Sequence, residues 1–177
     1  MATPEEMADA LDRAGLRPVL TDCAPEPYHI AVPFPDQSVE EEPVLRINLL
    51  ASADGDLELW QFISVIPAQA VSDRAWALVR NMLNTVNLSL TVGKVLAIED
   101  EQMIYFSCNH LAPPGDSALK SGPPVAHFIL ENLVVLTPAL VDALSTDPPP
   151  DFGAAERVLD ETHKALSELA EAISTER

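Results

Sequence analysis

The sequence predicts an α+β fold, an antiparallel five-stranded sheet with helices packed mainly on one face. Three observations lead there. Strand-like segments come in two groups, three and then two, and turn signals within each group suit hairpins. Segments with helical periodicity stand before, between and after those groups. Single strands do not alternate with helices, as they would in a parallel doubly wound sheet. The predicted order is α-β-β-β-α-β-β-α, followed by one further C-terminal helix.

Thr3, Pro4 and Glu6 form a helix start: Thr3 caps, Pro4 suits the first helical position, and Glu6 completes a capping box. Met7, Leu11 and Ala14 give the apolar stripe, and Gly15 ends it. In the first strand Tyr28, Ile30, Val32 and Phe34 alternate with His29, Ala31 and Pro33. The second sets Leu45, Ile47 and Leu49 against Arg46 and Asn48. The third, residues 57–66, is apolar on both faces, as a central, doubly covered strand would be. Asp54 and Gly55 between the last two are a hairpin signal.

Ser72 caps a second helix bearing Ala75, Trp76, Val79, Leu83 and Val86 at helical spacing. Asn84 and Asn87 mark its expected stop. Strands over 90–99 and 103–111 follow, joined by a short acidic turn. The Pro/Gly/Ser-rich stretch 112–124 reads as a loop, and a third helix starts near Val125, kinked or restarted at Thr137 and Pro138. Residues 1–146 make one α+β domain. Residues 147–177 are a proline-rich hinge and an amphipathic helix with Ala155, Val158, Leu159, Thr162, Leu166, Leu169 and Ile173 on its apolar face.

Composition limits the function. At 177 residues and 47% hydrophobic, the chain has enough apolar material for a core without metal or disulfide staples. Ten basic residues against 28 acidic ones leave a net charge of −18, which repels phosphate backbones and anionic lipid. No nucleic-acid or membrane partner is expected. The most apolar stretch, 125–136, is interrupted by His127, Glu131 and Asn132 and reads as too short and broken to span a bilayer. The N-terminus carries no secretory signal, so a cytoplasmic location with reduced Cys23 and Cys108 is expected.

The helix end Leu83-Asn84-Thr85-Val86-Asn87, then Gly93 and Lys94 opening a strand, then the turn 99–102 before Ile104, Tyr105 and Phe106 form a recognisable run. Together with the element order, it resembles the YbjN-like family, the bacterial sensory transduction regulators with the type III secretion chaperone-like fold. The resemblance covers residues 3–145. It implies a non-enzymatic, often dimeric domain that holds protein partners on sheet and helix faces, and it brings no catalytic residues. The proline-rich stretch 112–124 and the helix after Pro150 depart from that family's pattern.

Chemistry-bearing patterns are sparse. Cys108 and His110, two apart on a strand, share a face and would begin a metal site, but no third ligand is suggested by spacing. Beside Ile104 and Phe106, Cys108 reads better as core. Asp54, Gly55 and Asp56 lack the further oxygens of a calcium loop. No nucleophile elbow, phosphate loop or dinucleotide glycine pattern is present. No catalytic residue, cofactor or metal is therefore predicted, and the chain reads as a protein-binding module, chaperone or adaptor. Its partner-binding residues are expected to be Phe128, Leu133 and Leu136 on the third helix, whose apolar arc is wider than one sheet face covers, and Leu166 and Leu169 on the last. A homodimer, or a monomer that keeps this surface for a client, is expected; the acidic surface, including Glu40, Glu41 and Glu42, favours a basic partner. A small-ligand sensor and an enzyme with an unfamiliar site are the alternative classes.

Overall fold

A computed structural model describes residues 2–21, 28–35, 44–51, 57–67, 70, 72–90, 92–98 and 100–145. In chain order the elements are α1 (Pro4–Arg13), β1 (Val19–Leu20), β2 (Ile30–Pro33), β3 (Val44–Ala51), β4 (Glu58–Pro67), α2 (Asp73–Ser89), β5 (Lys94–Ile98), β6 (Met103–Ala112) and α3 (Asp116–Ser145). The strands form one antiparallel sheet in the order β1-β2-β3-β4-β6-β5. The architecture is α+β, with a sheet of six strands rather than five. The additional strand, β1, has two residues, too few to show any periodicity in sequence.

Local signals explain most of the elements. The Thr3 side chain accepts from Glu6 N, and Glu6 returns the bond to Thr3 N, so the capping box is closed. Ser72 accepts from Ala75 N and caps α2. That helix runs through Asn84 and Asn87 to Ser89 instead of stopping there. The Asn87 side chain binds the sheet instead, since its amide donates to Val95 O and accepts from Val95 N, both at 2.7 Å. This two-pronged clasp holds the start of β5 to the helix. Gly93, just before it, has φ +77, and the Phe106 ring lies where a Cβ would go.

Residues 112–124 are a second correction. Only the first few form a turn, and from Asp116 the chain is helical through Pro123, Pro124 and Pro138. Each proline removes a donor from the ladder, freeing the carbonyls of Leu119, Lys120 and Val134, so local chemistry points to a loop. Packing outweighs it. Ala118, Gly122, Ala126, Ile129, Leu130, Leu133, Leu136, Leu140 and Leu144 are all buried. At Gly122 the helix approaches α1 so closely that a Cβ would meet the Met7 thioether. The 30-residue α3 is also long and apolar enough, by length and composition, to cross a membrane. Part of that apolarity, the buried stripe, closes one face of the sheet.

Trp60, Phe62 and Ile66 of β4, Ile104, Phe106 and Cys108 of β6, Leu45 and Ile47 of β3 and Ile30 and Val32 of β2 form a single core with the three helices. Within it lies a buried carboxylate. Glu58, at the start of β4, accepts from Ala2 N and Gly115 N through Oε1 and from Trp60 Nε1 through Oε2. Burying this polar group requires such partners, and here they tie the chain start and the approach to α3 to one strand end.

Candidate functional site

The other face of the sheet is an unusual surface among the described residues. Strand register sorts it into rows. Leu50, Leu59 and Leu111 stand side by side on β3, β4 and β6. Asn48, Gln61 and Asn109 form the next row, where Gln61 Nε2 donates to Asn109 Oδ1 at 3.4 Å. Ala31, Arg46, Ile63, Ser107 and Lys94 follow, from β2 across to β5. Beyond them come Val65, Tyr105 and Leu96, then Met103 and Ile98. Two apolar bands thus flank a polar one.

No apolar residue of this face belongs to the core that holds the three helices. Leu50, Leu96 and Leu111 are 41%, 45% and 61% exposed, and Leu59, Ile63, Val65 and Tyr105 are half-buried. Natural sheets with one solvated face alternate apolar with polar residues, and here the alternation fails. At the β2–β3 end the picture changes. Ala31, Val44 and Asn48 are buried to 3%, 1% and 8% exposure, although no described helix packs there. The Arg46 guanidinium lies over the Tyr28 ring at 5.1 Å beside them.

The predicted partner residues divide. Leu133 and Leu136 are buried in the core of the single chain, and Phe128 is half-buried. Their α3 neighbours Val134, Val135 and Val141 are the exposed apolar residues of that helix. Reading the arc as uniformly apolar hides this split, because a helix turns each successive side chain by about 100°. Leu166 and Leu169 lie outside the described residues, as do Cys23, Asp54 to Asp56 and Glu40 to Glu42. What sequence reasoning misses is Leu50, Leu59, Ile63, Val65, Leu96 and Leu111. The available signal is the doubly apolar β4, which reads in sequence as a strand covered on both sides.

A second feature is a cleft of about 450 Å³ where β5 and β6 meet α3, lined by Gly93, Lys94, Cys108, His110 and Val125 among others. Cys108 is a free thiol, and burial raises its pKa. Burial also lowers that of His110, favouring the neutral imidazole. His110 Nε2 lies 2.8 Å from Ser121 Oγ, and that hydroxyl donates to Ser117 O, also at 2.8 Å. Which of the imidazole nitrogen and the hydroxyl donates in the first contact follows from the His110 tautomer. Among the described residues no group of three or more His, Cys, Asp or Glu gathers in metal-binding geometry.

No protein-family model, curated protein or solved structure matches the chain.

Proposed function

We propose that this chain is a non-enzymatic protein-binding module, a chaperone or adaptor of the cytoplasm, that holds a partner on the second face of its sheet. The observation that carries this reading is the pair of apolar rows, Leu50–Leu59–Leu111 and Val65–Tyr105–Leu96, left half-covered by the described elements. Removing such side chains from water is worth roughly 25 cal/mol per Å² of apolar area, which gives an amphipathic segment reason to dock. The polar row between the bands fixes orientation by offering amide donors and acceptors. A net charge of −18 favours a partner segment that carries basic residues on its outer side.

The resemblance to the YbjN-like family, and through it to the type III secretion chaperone-like fold, supports the same reading. A homodimer built on this face or on Val134, Val135 and Val141 belongs to it as well. The test is capture of partner proteins by the full chain and by Leu111→Asp, with circular dichroism to check folding. Proteins retained by the wild type and lost from a folded variant support the reading; equal retention by both sinks it.

The small-ligand reading has one observation of its own, the cleft beside His110, whose size falls within the range of ligand sites. Thermal stabilisation by small polar metabolites, abolished in His110→Ala, would favour it.

A further inference from the structure

We propose that the open edge of β6, residues 108–112, is a further binding site, which takes the C-terminal strand of a partner protein antiparallel to β6 with its terminal carboxylate against Lys94. It lies beside the second face of the sheet and does not rest on the reading of that face.

The edge follows from the register. β4 pairs with β6 along its whole length, whereas β5 pairs with it only from Met103 to Ser107. Residues 108–112 run on past the start of β5, about 17 Å of strand. The Asn87 clasp fixes which backbone groups they present. That side chain bonds Val95 N and Val95 O, so those groups point away from β6. In an antiparallel ladder successive residues turn their N–H and C=O to opposite sides. Lys94 and Leu96 therefore face β6, and Ser107 and Tyr105 opposite them face β5. Ser107 O agrees, since it stands 2.9 Å from where a Cβ on Gly93 would be. By the same alternation Asn109 and Leu111 turn their N–H and C=O to that side, where among the described residues no strand meets them. Asn109 is exposed, and Leu111 is 61% exposed. A row of such groups is a template for an added strand.

The surroundings select the direction of that strand and its end. The cleft of about 450 Å³ runs along Cys108, Asn109 and His110, with Gly93 and Lys94 at one end and Val125 of α3 beside it. All pairings of the sheet are antiparallel. A strand added to β6 in that sense runs in line with β5, towards Gly93. There it meets the chain entering β5, turned by the φ of +77 at Gly93. A chain terminus fits such a stop, and a segment that must run on does not. The carboxylate then arrives beside the Lys94 ammonium, which is exposed. The described lining of the cleft holds no acidic residue, in a chain with 28 of them and ten basic residues. A carboxylate gains a charge-assisted contact there that it finds on little of the remaining surface. Side chains of paired residues share a face. The partner residue opposite His110 therefore points into the cleft towards Val125, and the one opposite Leu111 lies against that leucine. Apolar residues suit both positions.

The probe is a random heptapeptide library with free C-termini, selected against the full chain, each selected peptide then being made as the free acid and as the C-terminal amide. Titrations followed by amide NMR should shift Asn109 and Leu111 and slow their exchange. The acid should bind about tenfold tighter than the amide, or more. Lys94→Gln should remove that difference while binding the amide as the wild type does. Methylation of the peptide nitrogens gives a pattern specific to strand addition. A methyl group on the residue opposite Asn109 or Leu111 should abolish binding, and one on the residue between them should leave it. Because these changes are on the peptide, the folding of the protein is not in question. A library that yields no binder, equal affinity of acid and amide, or loss at all three methylated positions overturns the proposal. So do shifts confined to Leu59, Val65 and Leu96, which place the peptide on the second face. Slow exchange of Asn109 and Leu111 in the free protein also overturns it, because the edge is then already closed by the chain itself or by a second copy.

Discussion

The two faces of β4 differ in what covers them far more than in what they are made of. Trp60, Phe62 and Ile66 point into the helical layer and are wholly or almost wholly buried. Leu59, Ile63 and Val65, one residue away in each case, point to the other side and stay half-exposed. Both sets are apolar, so the strand reads in sequence like the middle of a three-layer sandwich. Hydrophobicity reports that a surface needs cover; it does not report what supplies it. With the second face left half-covered, the stability must come mainly from the helix-packed one.

The largest effect expected from that contrast is at Phe62 and its neighbour. Phe62→Ala removes a fully buried ring from the core and should cost about 3–5 kcal/mol. Ile63→Ala, on the half-covered face, should cost under about 2 kcal/mol. Urea unfolding of both variants checks the difference. Equal losses would mean that the two faces are equally closed, and the contrast would fail.

Glu58 sharpens the same point from the polar side. Glu58→Ala leaves Ala2 N, Gly115 N and the Trp60 indole without their acceptor, at about 1–3 kcal/mol for each donor left buried and unpaired. Amide exchange at Ala2 and Gly115 should accelerate while that of β3 is unchanged. Uniform acceleration across the sheet would show that the carboxylate is no local clasp.

Gly93→Ala tests the edge where β5 joins. Its φ of +77 is strained for any residue with a Cβ, and the Phe106 ring and Ser107 O stand in the way. A loss of about 1–3 kcal/mol is expected, read as a lower urea midpoint with an unchanged slope.

Much of the fold was legible because local chemistry and packing agree there. The capping box at Thr3 and Glu6, the Ser72 cap, and the alternation of Leu45, Ile47 and Leu49 needed no tertiary information. The misses lie where the two disagree. Pro123 and Pro124 argue for a loop, and the burial of Ala118, Gly122 and Ala126 makes a helix there regardless. Asn87 looks like a helix stop, and its side chain is instead spent on Val95. The candidate site was legible only as excess apolarity. Which leucines are buried on α3, and which are bare on β4 to β6, depends on where the helices land.

The smallest expected effect is a pH dependence, and it probes the cleft where β5 and β6 meet α3. Burial lowers the His110 pKa below its ordinary value, so the unfolded chain takes up a proton at a pH where the folded chain does not. Above about pH 6.5, the ordinary imidazole value, the group is neutral in both states and full stability is present. As pH falls from there through the lower folded value, the unfolded state gains and stability declines, after which the loss is constant. The quantity to measure is the difference between wild type and His110→Gln. The variant should lose less stability between pH 7 and pH 5, and the gap should close within that window. Ser121 gives a second reading of the same geometry, because its hydroxyl lies 2.8 Å from His110 Nε2 and donates to Ser117 O. Ser121→Ala should leave the direction of the pH effect intact, since desolvation causes it and the hydroxyl does not. Parallel profiles for wild type and His110→Gln would mean that water reaches the imidazole freely and that the helix-packed face is less closed at this edge than its burial indicates.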